Sequence, residues 1–137
     1  MKVLVMYVDE FSYSPALKNL DTADEITEGK KFTDCILAFI HVEKSDEEYD
    51  IRSRGKKLVN HLKWTARKNS CRKIVLHSFA HLSESKAAAE YTKEMFDLAE
   101  ERLRNGGYIT SQTPFGYFLD LSLKAPGHSL ARIWASL

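Results

Sequence analysis

The sequence predicts a single α/β domain, and three observations carry that expectation. Residues 35–42 and 73–79 are short, almost continuously apolar runs with the length and content of buried strands. Each is followed by a longer stretch in which apolar residues recur at helical spacing. A chain of 137 residues is long enough to bury one core without disulfides or a metal, and short for two domains.

Taken in order, residues 3–8 form a mostly β-branched and aromatic first strand, and Phe11-Ser12-Tyr13 alternates as a second would, which predicts a hairpin. From 18 to 31 the chain is polar and acidic with Gly29, a surface loop. Residues 35–42 are the central strand. A helix spans 47–68: Gly55, Val59, Leu62 and Ala66 share one face, and Arg52, Lys56, Lys63 and Arg67 line the neighbouring one. The strand at 73–79 delivers Ala80 and His81 to its C-terminal end, where α/β sheets expose functional groups. Ser83 or Ser85 then caps a helix carrying Ala88, Tyr91, Met95, Leu98, Ala99 and Leu103, and Asn105-Gly106-Gly107 supplies a left-handed stop. Strands at 108–113 and 118–123 flank a turn at Pro114-Phe115-Gly116, and a short helix starts near Ser129. The predicted order is β-β-β-α-β-α-β-β-α over residues 1–137, with no repeat or linker.

Composition excludes several classes. A net charge of +1 with 44% apolar residues describes neither a disordered tail nor a strongly basic nucleic-acid binder, so any RNA contact must come from local clustering. Cys35 and Cys71 lie at no ligand spacing and suit reduced thiols. The apolar opening soon meets Asp9 and Glu10 and lacks the long apolar region of a signal peptide, and no stretch is long enough to span a bilayer. The expectation is a cytoplasmic protein with no membrane contact. Nucleophile-elbow, phosphate-loop, dinucleotide and His-Glu-x-x-His patterns are missing, so no cofactor is implied. His77 and His81 would share an ion on a helix. On a strand the same offset separates them by roughly 13 Å, so no metal is expected.

Two segments stand out, and each has two readings. In Phe79-Ala80-His81-Leu82-Ser83, a histidine at a strand end beside a helix start is either a polar terminator satisfying a nearby carbonyl or part of a carbonyl- or anion-facing site. In Pro114-Phe115-Gly116-Tyr117-Phe118, the rings either fill the core behind a tight turn or offer a stacking platform for a flexible nucleic-acid end. The Arg52, Lys56, Lys63 and Arg67 stripe is either solvated charge or a phosphate-facing surface.

These segments, with Gly127-His128-Ser129-Leu130-Ala131, resemble the signatures of the archaeal threonyl-tRNA synthetase editing domain, a relative of D-aminoacyl-tRNA deacylases. The resemblance extends to the first strand, to Ala16-Leu17-Lys18-Asn19 and to the strand ending His41-Val42-Glu43-Lys44. It implies a D-aminoacyl-tRNA deacylase-type fold with a curved mixed sheet, a homodimer, and a hydrolase that removes serine mischarged onto threonine tRNA, within a synthetase or apart from it. The 3′-terminal adenosine of aminoacylated tRNA would sit between Ala80 and His81 on one wall and Phe115, Gly116, Tyr117 and Phe118 on the other, with His81 carried over as the catalytic position. Water attacks the ester with help from the RNA 2′-OH, and the extra methyl of threonine is excluded sterically. The family pattern has lysine where this chain has Leu119, a tyrosine hydroxyl where it has Phe118, glutamate where it has Arg132, and His-Ser where it has Tyr7-Val8. Losing one oriented donor costs on the order of 2–4 kcal/mol of transition-state stabilisation. The resemblance therefore implies either a weakened or altered deacylase, or a degenerate relative serving as a dimerisation or tRNA-end-binding module.

Overall fold

A computed structural model describes residues 1–137. The elements are β1 (Lys2–Lys18), β2 (Lys30–His41), α1 (Ile51–Lys68), β3 (Lys73–Ser78), α2 (Ala89–Asn105), β4 (Ile109–Gln112), β5 (Tyr117–Lys124) and β6 (Arg132–Ser136), with one-turn 3-10 segments at Lys44–Glu48 and Ser129–Ala131. The strands form one mixed sheet in the order β4-β3-β2-β1-β5, and β6 also pairs with β1. β2, β3 and β4 run parallel because α1 and α2 return the chain between them, whereas β1 is antiparallel to β2, β5 and β6.

Both helices cover one face of the sheet. Leu58, Leu62 and Ala66 of α1 and Met95, Phe96, Ala99 and Leu103 of α2 pack with Val3, Val5, Ile36, Ala38, Ile40, Ile74 and Leu76 from the strands. Each fully buried large side chain contributes about 1.5–3 kcal/mol. The face predicted from Gly55, Val59, Leu62 and Ala66 is the buried one. A Cβ on Gly55 would stand 2.3 Å from Leu98 Cδ2, so the Leu98 side chain of α2 fills the space that the glycine leaves on α1. The acid end of the 3-10 turn is tied in by a buried pair, Arg54 Nη2 to Asp46 Oδ1 at 2.6 Å.

The other face carries no helix, yet Cys35, Leu37 and Val75 are fully buried with Val8 and Phe11. Curling of the sheet explains this. Ile40 pairs with Val3 and Leu119 with Pro15, positions roughly 40 Å apart on a straight strand at about 3.3 Å per residue. Ile40 and Leu119 nevertheless line one cavity of about 540 Å³. The far half of β1 and its partner β5 must roll over the open face, and they place Phe11 and Tyr13 against Leu37, Phe39 and Val75.

Three local expectations are corrected. Residues 3–8 and 11–13 are one strand, not a hairpin: Asp9 and Glu10 supply polarity but no turn residue, and the irregularity comes later, where Pro15 lacks an N–H and the register shifts before Leu17. The helix expected from Ser129 is a single 3-10 turn followed by β6. β5 covers only Glu10–Lys18 of β1, so the edge at Lys2–Met6 is open, and Ile133-Trp134-Ala135 fills it. Neither Ser83 nor Ser85 caps α2, whose N-cap is Ala88: Ser83 Oγ donates to Glu43 Oε2, and Ser85 Oγ accepts from Lys44 N–H. The predicted stop holds, with Gly107 at φ +88° just past α2.

Candidate functional site

The cavity lies at the C-terminal ends of β2 and β3, under the rolled limb of β5, and has three walls. The first is Phe79, Ala80 and His81 with Lys86 and Ala87. It is held by a buried histidine: Leu82 N–H donates to His41 Nδ1 at 3.0 Å, and His41 Nε2 donates to the Ser85 carbonyl at 2.6 Å. One imidazole from β2 thereby fixes both ends of the loop. His81 itself is exposed, its ring edge 4.9 Å from Phe79 by centroids, with no hydrogen-bond partner orienting it.

The second wall is residues 114–119, entered from β4. His77 Nδ1 pairs with Thr113 Oγ1 at 2.9 Å, and Thr113 N–H donates to the Leu76 carbonyl at 3.0 Å, so β3 anchors this wall too. Phe115 packs towards buried Phe96, with ring centroids 6.2 Å apart. The Phe79 ring contacts both His77 and His81, at 5.9 and 4.9 Å, and only His77 has a hydrogen-bond partner.

The third wall, Asn19 and Leu20, has no counterpart in the residue-by-residue reading of the sequence. Asn19 N–H donates to the Gly116 carbonyl at 2.8 Å, Tyr117 OH donates to the Asp24 carbonyl at 2.9 Å, and the same hydroxyl accepts from Ile26 N–H at 3.0 Å. Tyr117 is therefore a clamp on the 19–26 loop as well as a lining ring. A glycine at 116 leaves room for a close approach to the backbone. What comes close is the chain itself, since a Cβ at Gly116 would stand 2.7 Å from Ala23 Cβ.

Ala80, His81, Phe115, Gly116, Tyr117, Phe118 and Leu119 all line this cavity. Arg132 does not: it is exposed on β6 opposite Met6. Arg52, Lys56 and Arg67 are exposed along α1 without a carboxylate partner. Lys63 is half-buried, its ammonium over Gly106 at the C-terminal end of α2, where the helix dipole favours a cation. Lys86, His41, His77 and Thr113 were missed as parts of the site. The hydrogen-bond partners of His41, His77 and Thr113 lie 36 to 44 residues away, and only Lys86, five residues past His81, carries a local sequence signal.

Burial holds His77 well below the usual histidine range, at about 4 instead of 6.5. The unfolded chain takes up a proton on this ring below about pH 6.5, while the folded chain resists until about pH 4. The stability from neutral His77 is complete above pH 6.5 and lost as pH falls towards 4, by up to about 3 kcal/mol. Urea unfolding at pH 7, 5.5 and 4 checks this. His61, also lowered by burial, acts in the same direction, so His77→Asn should remove only part of the acid slope.

A family profile described as the archaea-specific editing domain of threonyl-tRNA synthetase matches residues 1–137. The chain is 31% identical over 136 residues to the threonine–tRNA ligase of Thermococcus onnurineus, and 29% identical over 131 residues to that of Cenarchaeum symbiosum. It spans about a fifth of those relatives: the alignments cover 97% and 96% of this chain but 22% and 20% of theirs. Among solved structures, c-Myc DNA Unwinding Element Binding Protein superposes with a TM-score of 0.69 at 13% identity, over 100% of this chain and 99% of that one. That likeness shows the fold alone, a mixed α/β domain with a curved sheet. No helix is long and apolar enough to cross a membrane.

Proposed function

This chain belongs to the archaea-specific editing-domain family of threonyl-tRNA synthetase, and from that membership we propose that it hydrolyses the ester of seryl-tRNA for threonine in the cavity between residues 79–81 and 114–119. One observation supports the reading most. Two segments over thirty residues apart in sequence, with no helix in common, are each anchored to the sheet by a buried histidine and line one cavity. The terminal adenosine is placed against the Phe115 and Phe118 rings, with the ester near Ala80 and His81. The lining contains no carboxylate or cysteine, and its one serine, Ser78, makes no hydrogen bond to any of the lining histidines, so water and the RNA 2′-OH do the bond-making, and the protein contributes positioning and oriented backbone dipoles.

The proposal extends to a cytoplasmic homodimer working with the remainder of a threonyl-tRNA synthetase, in the same chain or apart from it, with Arg52, Lys56 and Arg67 along the acceptor stem. Arg52 to Arg67 spans about 22 Å on the helix. The test is serine release from seryl-tRNA for threonine, with threonyl-tRNA as control. Serine is expected to be released in preference, with KM rising steeply with salt. Arg52→Glu with Lys56→Glu should raise KM and flatten that salt slope by about one unit per cation lost. No release from either tRNA, together with retained binding of the aminoacylated end, favours the degenerate tRNA-end-binding module, the reading that Leu119 supports.

A further inference from the structure

Among the cavity-lining residues the one fully charged side chain is Lys86, and no carboxylate shares the lining with it. Lys86 is exposed at the rim, and its ammonium makes neither an ion pair nor a hydrogen bond within the chain. Its backbone is held on both sides. The Ser85 carbonyl accepts from His41 Nε2 at 2.6 Å, Ser85 Oγ accepts from Lys44 N–H at 3.3 Å, and Ala87 N–H donates to the Val42 carbonyl at 3.0 Å. A cation on a segment fixed in this way gives up little further freedom when it meets a ligand, which is how preorganised contacts gain affinity.

The chemistry of the ligand then narrows its role. An aminoacylated nucleoside end carries a neutral base, a neutral ribose, a neutral ester and a cationic α-amino group, none of which calls for an ammonium at the rim. Its only anion is the phosphate on the 5′ side of the terminal nucleoside. We propose that Lys86 binds that phosphate and so sets how deep the nucleoside enters, with His41 as the positioning residue that fixes the loop. This rests on the nucleoside-end reading of the cavity, and it assigns Lys86 to ground-state binding, apart from the ester chemistry.

Calorimetric titration of the whole chain with adenosine 5′-monophosphate and with adenosine separates the two readings. At low salt the monophosphate is expected to bind about tenfold more tightly than adenosine, because a charge-assisted hydrogen bond to phosphate is among the stronger polar contacts. Lys86→Gln should abolish that preference without changing adenosine affinity, and Lys86→Arg should keep most of it. Lys86 is exposed, so circular dichroism is expected to show an unchanged fold. Equal affinity for both ligands, or a preference that survives Lys86→Gln, overturns the role of Lys86 and leaves the nucleoside reading standing. Binding of neither ligand overturns both.

Discussion

Gly116→Val is expected to lower the unfolding free energy by about 2–6 kcal/mol and to abolish nucleoside binding. Two costs add. Gly116 sits at φ +87°, a conformation that costs a β-branched residue about 1–3 kcal/mol. Its new Cβ would also stand 2.7 Å from Ala23 Cβ and 3.1 Å from Leu20 Cβ, an overpacking worth another 1–3 kcal/mol or so. The chain can relieve the clash only by pushing the 19–26 loop outwards, which strains the Asn19 and Tyr117 bonds and removes the third wall. Denaturant titration of Gly116→Ala alone and with Ala23→Gly separates the costs: the second change should return the steric part and leave the backbone part. A loss below 1 kcal/mol for Gly116→Val would show that the loop moves freely and that the cavity does not depend on it.

The helices and the two central strands were legible in the sequence because their signal is local. The buried positions of α1 and α2 follow the period of their own segments, and β2 and β3 are compact apolar runs between polar flanks. The continuity of β1 and the existence of β6 were not legible, since both depend on vacant edges elsewhere in the sheet. Trp134 is exposed and β6 is a strand because Lys2–Met6 has no other neighbour on that side. The cavity shows the same division. Its two main walls carry recognisable segments, whereas of the two histidines anchoring them only His77 draws attention in the sequence, as a potential metal ligand. His41 and His77 are structural, and in that capacity they fix the geometry of the site: each joins a strand to a loop 36 to 44 residues away, a relation created by the parallel pairing of β2, β3 and β4.

Leu119→Lys is expected to raise the rate constant for serine release about a hundredfold or more, the value of one donor oriented at a developing oxyanion. Leu119 is half-buried, lines the cavity, and lies across from Pro15 where the β1–β5 register is about to shift. A lysine stem can cover the same apolar surface while its ammonium reaches the open volume, so the fold should tolerate the change. The effect belongs in kcat: the ester carbonyl is neutral in the ground state and gains charge only as water attacks. Lys86→Gln, acting on the phosphate, belongs in KM, and the two substitutions should combine additively because they touch different parts of the substrate. Arg132→Glu should add nothing within one protomer, as Arg132 stands outside the cavity on β6. A gain from Arg132→Glu that appears only with Leu119→Lys would instead bring β6 of a second copy to the cavity mouth. Robust release by the unmodified chain, unchanged in Leu119→Lys, would mean that backbone dipoles and the RNA hydroxyl suffice. Silence from every variant, with the aminoacylated end still bound, would leave Leu119 as the mark of a domain that holds the tRNA end without cutting it.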